Sequence, residues 1–117
     1  MTDRELLKLA AKAAGILNYT VRGENIFVET GSARGASGFY WNPLTDDGDA
    51  LRLAVKLKID IEHLDSYVHS YQNHTHLPDW ADSSFAATET ADEGDPHAAA
   101  RRAIVRSAAQ IGRRDEK

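Results

Sequence analysis

The densest gathering of side chains able to do chemistry lies between residues 63 and 82. His63, His69, His74 and His76 fall within fourteen residues of one another, beside Asp65, Asp79 and Asp82. A His74-x-His76 pair on an extended strand would set both imidazoles on one face, an arrangement that can ligate a metal. The spacing lacks the i, i+4 helical pairing of a His-Glu-x-x-His site. The stretch is also loop-like, so the competing reading is a solvated polar segment, and no metal or other cofactor is expected. Two His-x-Ser/Thr motifs would supply the acid and base of phosphodiester chemistry. Here the residue two after His69 is Tyr71, two after His74 is His76, and two after His76 is Pro78. None of Ser32, Ser37, Ser66, Ser70, Ser83, Ser84 or Ser107 sits in a Gly-x-Ser-x-Gly elbow. The acids Asp46, Asp47 and Asp49 read better as helix-start residues than as a catalytic pair. No catalytic residue is assigned.

Two other clusters suit binding. Gly31, Gly35 and Gly38 surround Arg34 and lead directly into Phe39, Tyr40 and Trp41. Free backbone N–H groups with a guanidinium can hold a phosphate, and adjacent aromatics can stack a base. Neither Gly-Lys-Ser/Thr nor Gly-x-Gly-x-x-Gly is present, so the loop matches no standard phosphate loop. Arg34, Tyr40 and Trp41, with Arg101 and Arg102 near the C-terminus, form the candidate ligand site. A plain hairpin connection with its aromatics in the core, and a solvated arginine face, are the alternatives. Tyr67, His69, Tyr71 and Trp80 form a second aromatic cluster with no lysine nearby, a composition suited to protein contact. Structural packing competes with that reading.

These residues must be positioned by short elements. Thr2 and Glu5 match a capping box ahead of Leu6, Leu7, Leu9, Ala10, Ala13 and Ala14, which predicts a helix over 3–14 closed by Gly15. Residues 16–22 and 26–30 read as a hairpin about Gly23-Glu24, and 39–41 as a short strand. Pro43 and the following acids predict a second helix over 46–57. Residues 59–62 alternate as a strand, 67–71 and 85–90 are candidate strands, and 73–84 is mainly loop. Asp95 and Pro96 open a third helix, striped by Ala100, Ile104, Ala108 and Ile111 and ended by Gly112. Residues 113–117 are expected to be a frayed tail. This order predicts one α+β domain over 1–112, an antiparallel or mixed sheet packed with three helices.

Composition narrows the classes further. The chain has 117 residues, a formal net charge of -4, no cysteine and 42% hydrophobic residues. That length suits one domain with a core that needs no staples. The missing cysteine excludes a disulfide framework, a thiolate metal site and a cysteine nucleophile. No apolar run approaches the ~20 residues of a membrane helix, and the N-terminus lacks a signal-peptide pattern. No membrane association is expected. Charge is uneven: residues 1–60 balance, residues 61–95 hold eight acids and no Lys or Arg, and residues 96–117 are net basic. The acidic total disfavours non-specific nucleic-acid binding.

Three stretches together have a familiar form: Glu5 to Gly15, Trp41-Asn42-Pro43-Leu44-Thr45-Asp46-Asp47-Gly48-Asp49-Ala50-Leu51-Arg52-Leu53-Ala54-Val55-Lys56-Leu57, and Ala99 to Gly112. The set resembles small tailed-phage and prophage proteins of the phage ABA-sandwich and NinX-like type. The resemblance implies helix/sheet/helix layering and a phage origin, and it carries over no catalytic residue. The His- and Tyr-rich stretch 63–80 departs from that pattern. The expected function is a non-catalytic counter-defence factor in the host cytoplasm that sequesters a small nucleotide-derived immune signal. The alternatives are a protein–protein inhibitor of a bacterial defence or replication complex, motivated by the acidic aromatic stretch, and a His-dependent metal-assisted hydrolase. Oligomeric state is not readable from the sequence; phage binders of this size are often dimers by analogy, which leaves a homo-oligomer open.

Overall fold

A computed structural model describes residues 2–29, 38–63, 67–72, 86–90 and 95–114, with 72 and 86–90 given by their backbone alone. Among these, Thr2 begins the first helix, α1 (Asp3–Ala13), by accepting the Glu5 N–H on its hydroxyl at 3.2 Å. The helix closes in a Schellman turn. Gly15 adopts a φ of 80°, its N–H reaches Lys12 O, and the Ile16 N–H reaches Ala11 O at 2.9 Å. The chain then runs antiparallel through β1 (Tyr19–Arg22), β2 (Asn25–Glu29) and β3 (Gly38–Trp41). Gly23, at φ 63°, turns β1 into β2. Helix α2 (Asp47–Leu57) is capped by Asp46, whose carboxylate accepts the Asp49 N–H at 2.8 Å. Lys58 takes the left-handed conformation and turns the chain at once into β4 (Ile59–His63). Strands β5 (Tyr67–Gln72) and β6 (Ala86–Thr90) complete a second antiparallel sheet, and α3 (Pro96–Arg114) ends the described chain.

The fold is therefore α+β, and the described residues form two separate three-stranded antiparallel sheets, β1-β2-β3 and β4-β5-β6. The expectation of a single sheet gives way here because α2 carries the chain from the edge of one sheet to the start of the other. Helix α3 is the common support. It packs on α1, on α2 and on all three strands of the second sheet. Its expected stripe captured only part of this. Ile104 and Ala108 are buried, and so is a second row, Ala99, Ala103 and Ser107, that faces the sheet. Small residues dominate that second row, which is why hydrophobic periodicity does not reveal it.

The main core joins Leu6, Leu7, Ala10 and Ala11 of α1, Ile26 and Trp41 of the first sheet, Leu53 and Ala54 of α2, Ile59 of β4, and Ile104, Val105, Ala108 and Ala109 of α3. A smaller cluster sets Val68 of β5 against Ala99 and Ala103. Beside it the fully buried Ser70 hydroxyl lies 2.7 Å from Ala103 O and 2.7 Å from the Ser107 hydroxyl, so these polar groups satisfy one another inside the core.

The C-terminal boundary of α3 differs from expectation for a physical reason. Gly112 does not end α3, which continues to Arg114, so Arg113 and Arg114 are helical rather than frayed. A β-carbon at Gly112 would stand 2.0 Å from Leu9 O. The glycine is there so that α1 and α3 can touch backbone to backbone. Residues 115–117 lie outside the described residues. At the other end of α3, the Asp95 carboxylate accepts the His97 N–H at 2.9 Å. That backbone hydrogen bond, more than the nearby imidazole, lowers its pKa below the ordinary aspartate value. Among the described residues, no helix is long and apolar enough to cross a membrane.

Candidate ligand pocket between β3 and α2

The Trp41-Asn42-Pro43 run that leads from β3 into α2 is held by a buried polar hub. The Asn42 N–H donates to Asp49 Oδ2 at 2.9 Å, and the Arg52 guanidinium donates to Asp49 Oδ1 at 2.8 Å. The carboxylate of Asp49 is thus engaged on both oxygens while buried. The Asn42 amide is equally committed. Its oxygen accepts the Leu44 N–H at 3.0 Å, which fixes its orientation and turns its nitrogen toward Asn25 Oδ1 at 2.8 Å. Asn42 O accepts from both Thr45 N–H and Asp46 N–H. One asparagine therefore ties β2, the β3–α2 connection and the α2 N-terminus into a rigid corner.

That corner forms one wall of a cavity of about 830 Å³. Strand β3 contributes Phe39, Tyr40 and Trp41, α2 contributes Arg52, Leu53 and Lys56, and the end of α1 contributes Ala14 and Ile16. The volume falls within the ~300–1,000 Å³ of small-molecule sites. Phe39 and Trp41 lie on the same face of β3, opposite Val28 and Ile26 of β2. Trp41 is only 6% exposed and anchors the floor, whereas Phe39 is 48% exposed and open to a ligand. Arg52 is within 3.9 Å of Asp46 in addition to its bond to Asp49. Lys56, one helical turn further on, has no ion pair among the described residues. Its ammonium lies 3.9 Å from where a β-carbon on Gly15 would stand, next to the C-terminus of α1.

The structure divides the expected ligand residues among three places. Trp41 and Tyr40 both border the cavity, but strand alternation sends them to opposite faces of the sheet. Tyr40, 56% exposed, packs edge-on against Phe27 at 5.2 Å, and Arg22 lies 4.3 Å over the same Phe27 ring. Adjacent positions on a strand cannot form one stacking platform, so Phe39 rather than Tyr40 is the partner of Trp41. Arg101 and Arg102 do not border this cavity. Arg101, with a side chain 15% exposed, donates to Asp47 at 2.6 Å and to Leu44 O at 2.8 Å, joining α3 to α2. Arg102 reaches Asp3 at 2.8 Å and joins α3 to α1. Both are interhelical clamps, which neither the ligand reading nor the solvated-face reading anticipates. Arg34 lies outside the described residues.

Reasoning from sequence alone missed Arg52 and Lys56, and it named Phe39 in the aromatic run but left it out of the candidate ligand site. A signal for the two cations was present: they stand at i and i+4 on α2, off the Ala50-Leu53-Ala54-Leu57 stripe, and so share one helix face.

Of the second cluster, Tyr67, His69 and Tyr71 occur at alternate positions of β5, on the side of the sheet away from α3, with the His69 and Tyr71 rings 5.6 Å apart. Trp80, His74 and His76 lie outside the described residues. Among the described residues, no three His, Asp or Glu side chains are placed to hold a metal ion. Compared with protein families, curated proteins and solved structures, the chain finds no match in any of the three.

Proposed function

We propose that this protein is a non-catalytic binder of a small aromatic anion of the nucleotide class, held in the cavity between β3 and α2. One observation carries the reading: a cavity of about 830 Å³ lined by an exposed aromatic ring, Phe39, and by the cationic pair Arg52 and Lys56. An aromatic face accepts a base of any sequence through stacking. Arg52 is partly neutralised by Asp46 and Asp49, so Lys56 supplies the attraction for a phosphate. Asn25, whose Oδ1 is taken by Asn42, keeps its amide N–H groups for the edge of a base. A rigid corner with an open mouth suits capture and release rather than bond making.

Set beside the phage-type sequence pattern, such a binder acts as a counter-defence factor in the host cytoplasm, removing a nucleotide-derived immune signal from solution. Calorimetry of the full chain against a panel of cyclic and linear nucleotides tests the proposal. Heat is expected for at least one member, and Lys56→Gln and Phe39→Ala are each expected to weaken that ligand about tenfold, in line with the ~1–3 kcal/mol of one base stack or one charged contact. Phe39 and Lys56 are both exposed, so neither change threatens the core. A panel that produces no heat with the parent protein rejects the reading.

A further inference from the structure

We infer that the outer face of the β4-β5-β6 sheet is a docking surface for an extended, arginine-containing protein segment with arginines at alternate positions. The cross-strand register sets Asp60 opposite Tyr71 and Glu62 opposite His69. Cross-strand partners share a face, so the two carboxylates and the rings of Tyr67, His69 and Tyr71 form one surface. The opposite face is fixed by Val68 and Ser70, both buried against α3. Tyr67 is 49% exposed and Glu62 is exposed at the surface. Neither Asp60 nor Glu62 has an ion-pair partner among the described residues.

Chemistry and spacing select the occupant. No Lys or Arg occurs in β4, β5 or β6, so the face bearing Asp60 and Glu62 attracts cations and repels nucleic-acid phosphate. Guanidinium fits better than ammonium, because it stacks on an aromatic ring while its edge bonds a carboxylate, and each register pair offers one of each. Side chains two apart on a strand repeat at about 6.8 Å, for the sheet and for an extended peptide alike. A segment lying along β5 with arginines two apart therefore meets Asp60–Tyr71 and Glu62–His69 in turn. Strand β5 already has neighbours on both edges, so the segment cannot join the ladder and is recognised through side chains. This inference is independent of the nucleotide pocket.

Fluorescence anisotropy with short labelled peptides on the full chain tests it. A peptide alternating Arg and Ser is expected to bind more tightly than one alternating Lys and Ser, and more tightly than one with the same arginines in a single block. The Asp60→Asn, Glu62→Gln double variant is expected to weaken the alternating Arg peptide about tenfold, the range of two exposed ion pairs. Glu29→Gln on the other sheet is expected to leave it unchanged, and Asp60→Lys with Glu62→Lys is expected to transfer preference to an alternating Glu-Ser peptide. Glu29 and Glu62 are exposed and Asp60 is half-buried, and far-UV circular dichroism verifies the fold of each variant. Equal binding of alternating and blocked peptides, equal binding of Arg and Lys peptides, or unchanged binding by the double variant overturns the inference.

Discussion

Asp49 shows how a single side chain can be placed correctly in a sequence and still be underestimated. As one of three acids after Pro43 it reads as a helix-start residue, and Asp46 does fill that role by capping α2. Asp49 does something more: buried, it holds the Asn42 N–H on one oxygen and Arg52 on the other. Asp49→Ala leaves a buried donor unmet and is expected to lower the unfolding free energy by about 2 kcal/mol, measured by urea denaturation; a change near zero would mean water replaces the carboxylate. The pairing was not legible beforehand because Asn42 and Asp49 are seven positions apart, with a turn between them. Linear spacing carries no signature of a side chain that bonds back across a turn. Arg101 and Arg102 make the same point in reverse. Their charges were legible and invited an anion, but Asp47 and Asp3, distant in sequence, hold them.

Elements were the most legible level. Thr2 with Glu5, Gly15, Asp46 and Asp95 marked helix ends because capping is a local transaction between a side chain and nearby N–H groups. Alternation exposed β4, whereas Tyr67-Val68-His69-Ser70-Tyr71 read only as a candidate strand, and its two faces emerge from the burial of Val68 and Ser70. Gly112 was misread because a glycine near a helix end has two explanations, a left-handed stop or a close approach, and only the neighbour decides. Here the neighbour is Leu9 O of α1. Gly112→Ala is expected to push α1 from α3 and destabilise the protein by about 2 kcal/mol, the range of overpacked cores, read as a lowered midpoint of thermal unfolding. An unchanged midpoint would show that the helices separate without cost.

The partition of the six described strands into two sheets belongs to the whole molecule and was not legible, since antiparallel patterning states that a strand has neighbours without saying which. What unites the halves is α3, which supports α1, α2 and the second sheet, while Ile26 and Trp41 bring the first sheet into the same core. The two halves are therefore expected to unfold together. In a Trp80→Phe background, the urea transition followed by Trp41 fluorescence should coincide with that followed by far-UV circular dichroism; separated midpoints would reveal two independently melting parts. The Ser70–Ser107 contact adds a constraint of a different kind. A slip of β5 by one residue would drive His69 or Tyr71 into the space that two hydroxyls fill, so the strand has a single permitted alignment on α3. With that index pin in place, the outward residues of β5 are free to drift through substitution without moving the strand. A lineage could thus rewrite the exposed lettering of this sheet on a chassis that never needs redesign.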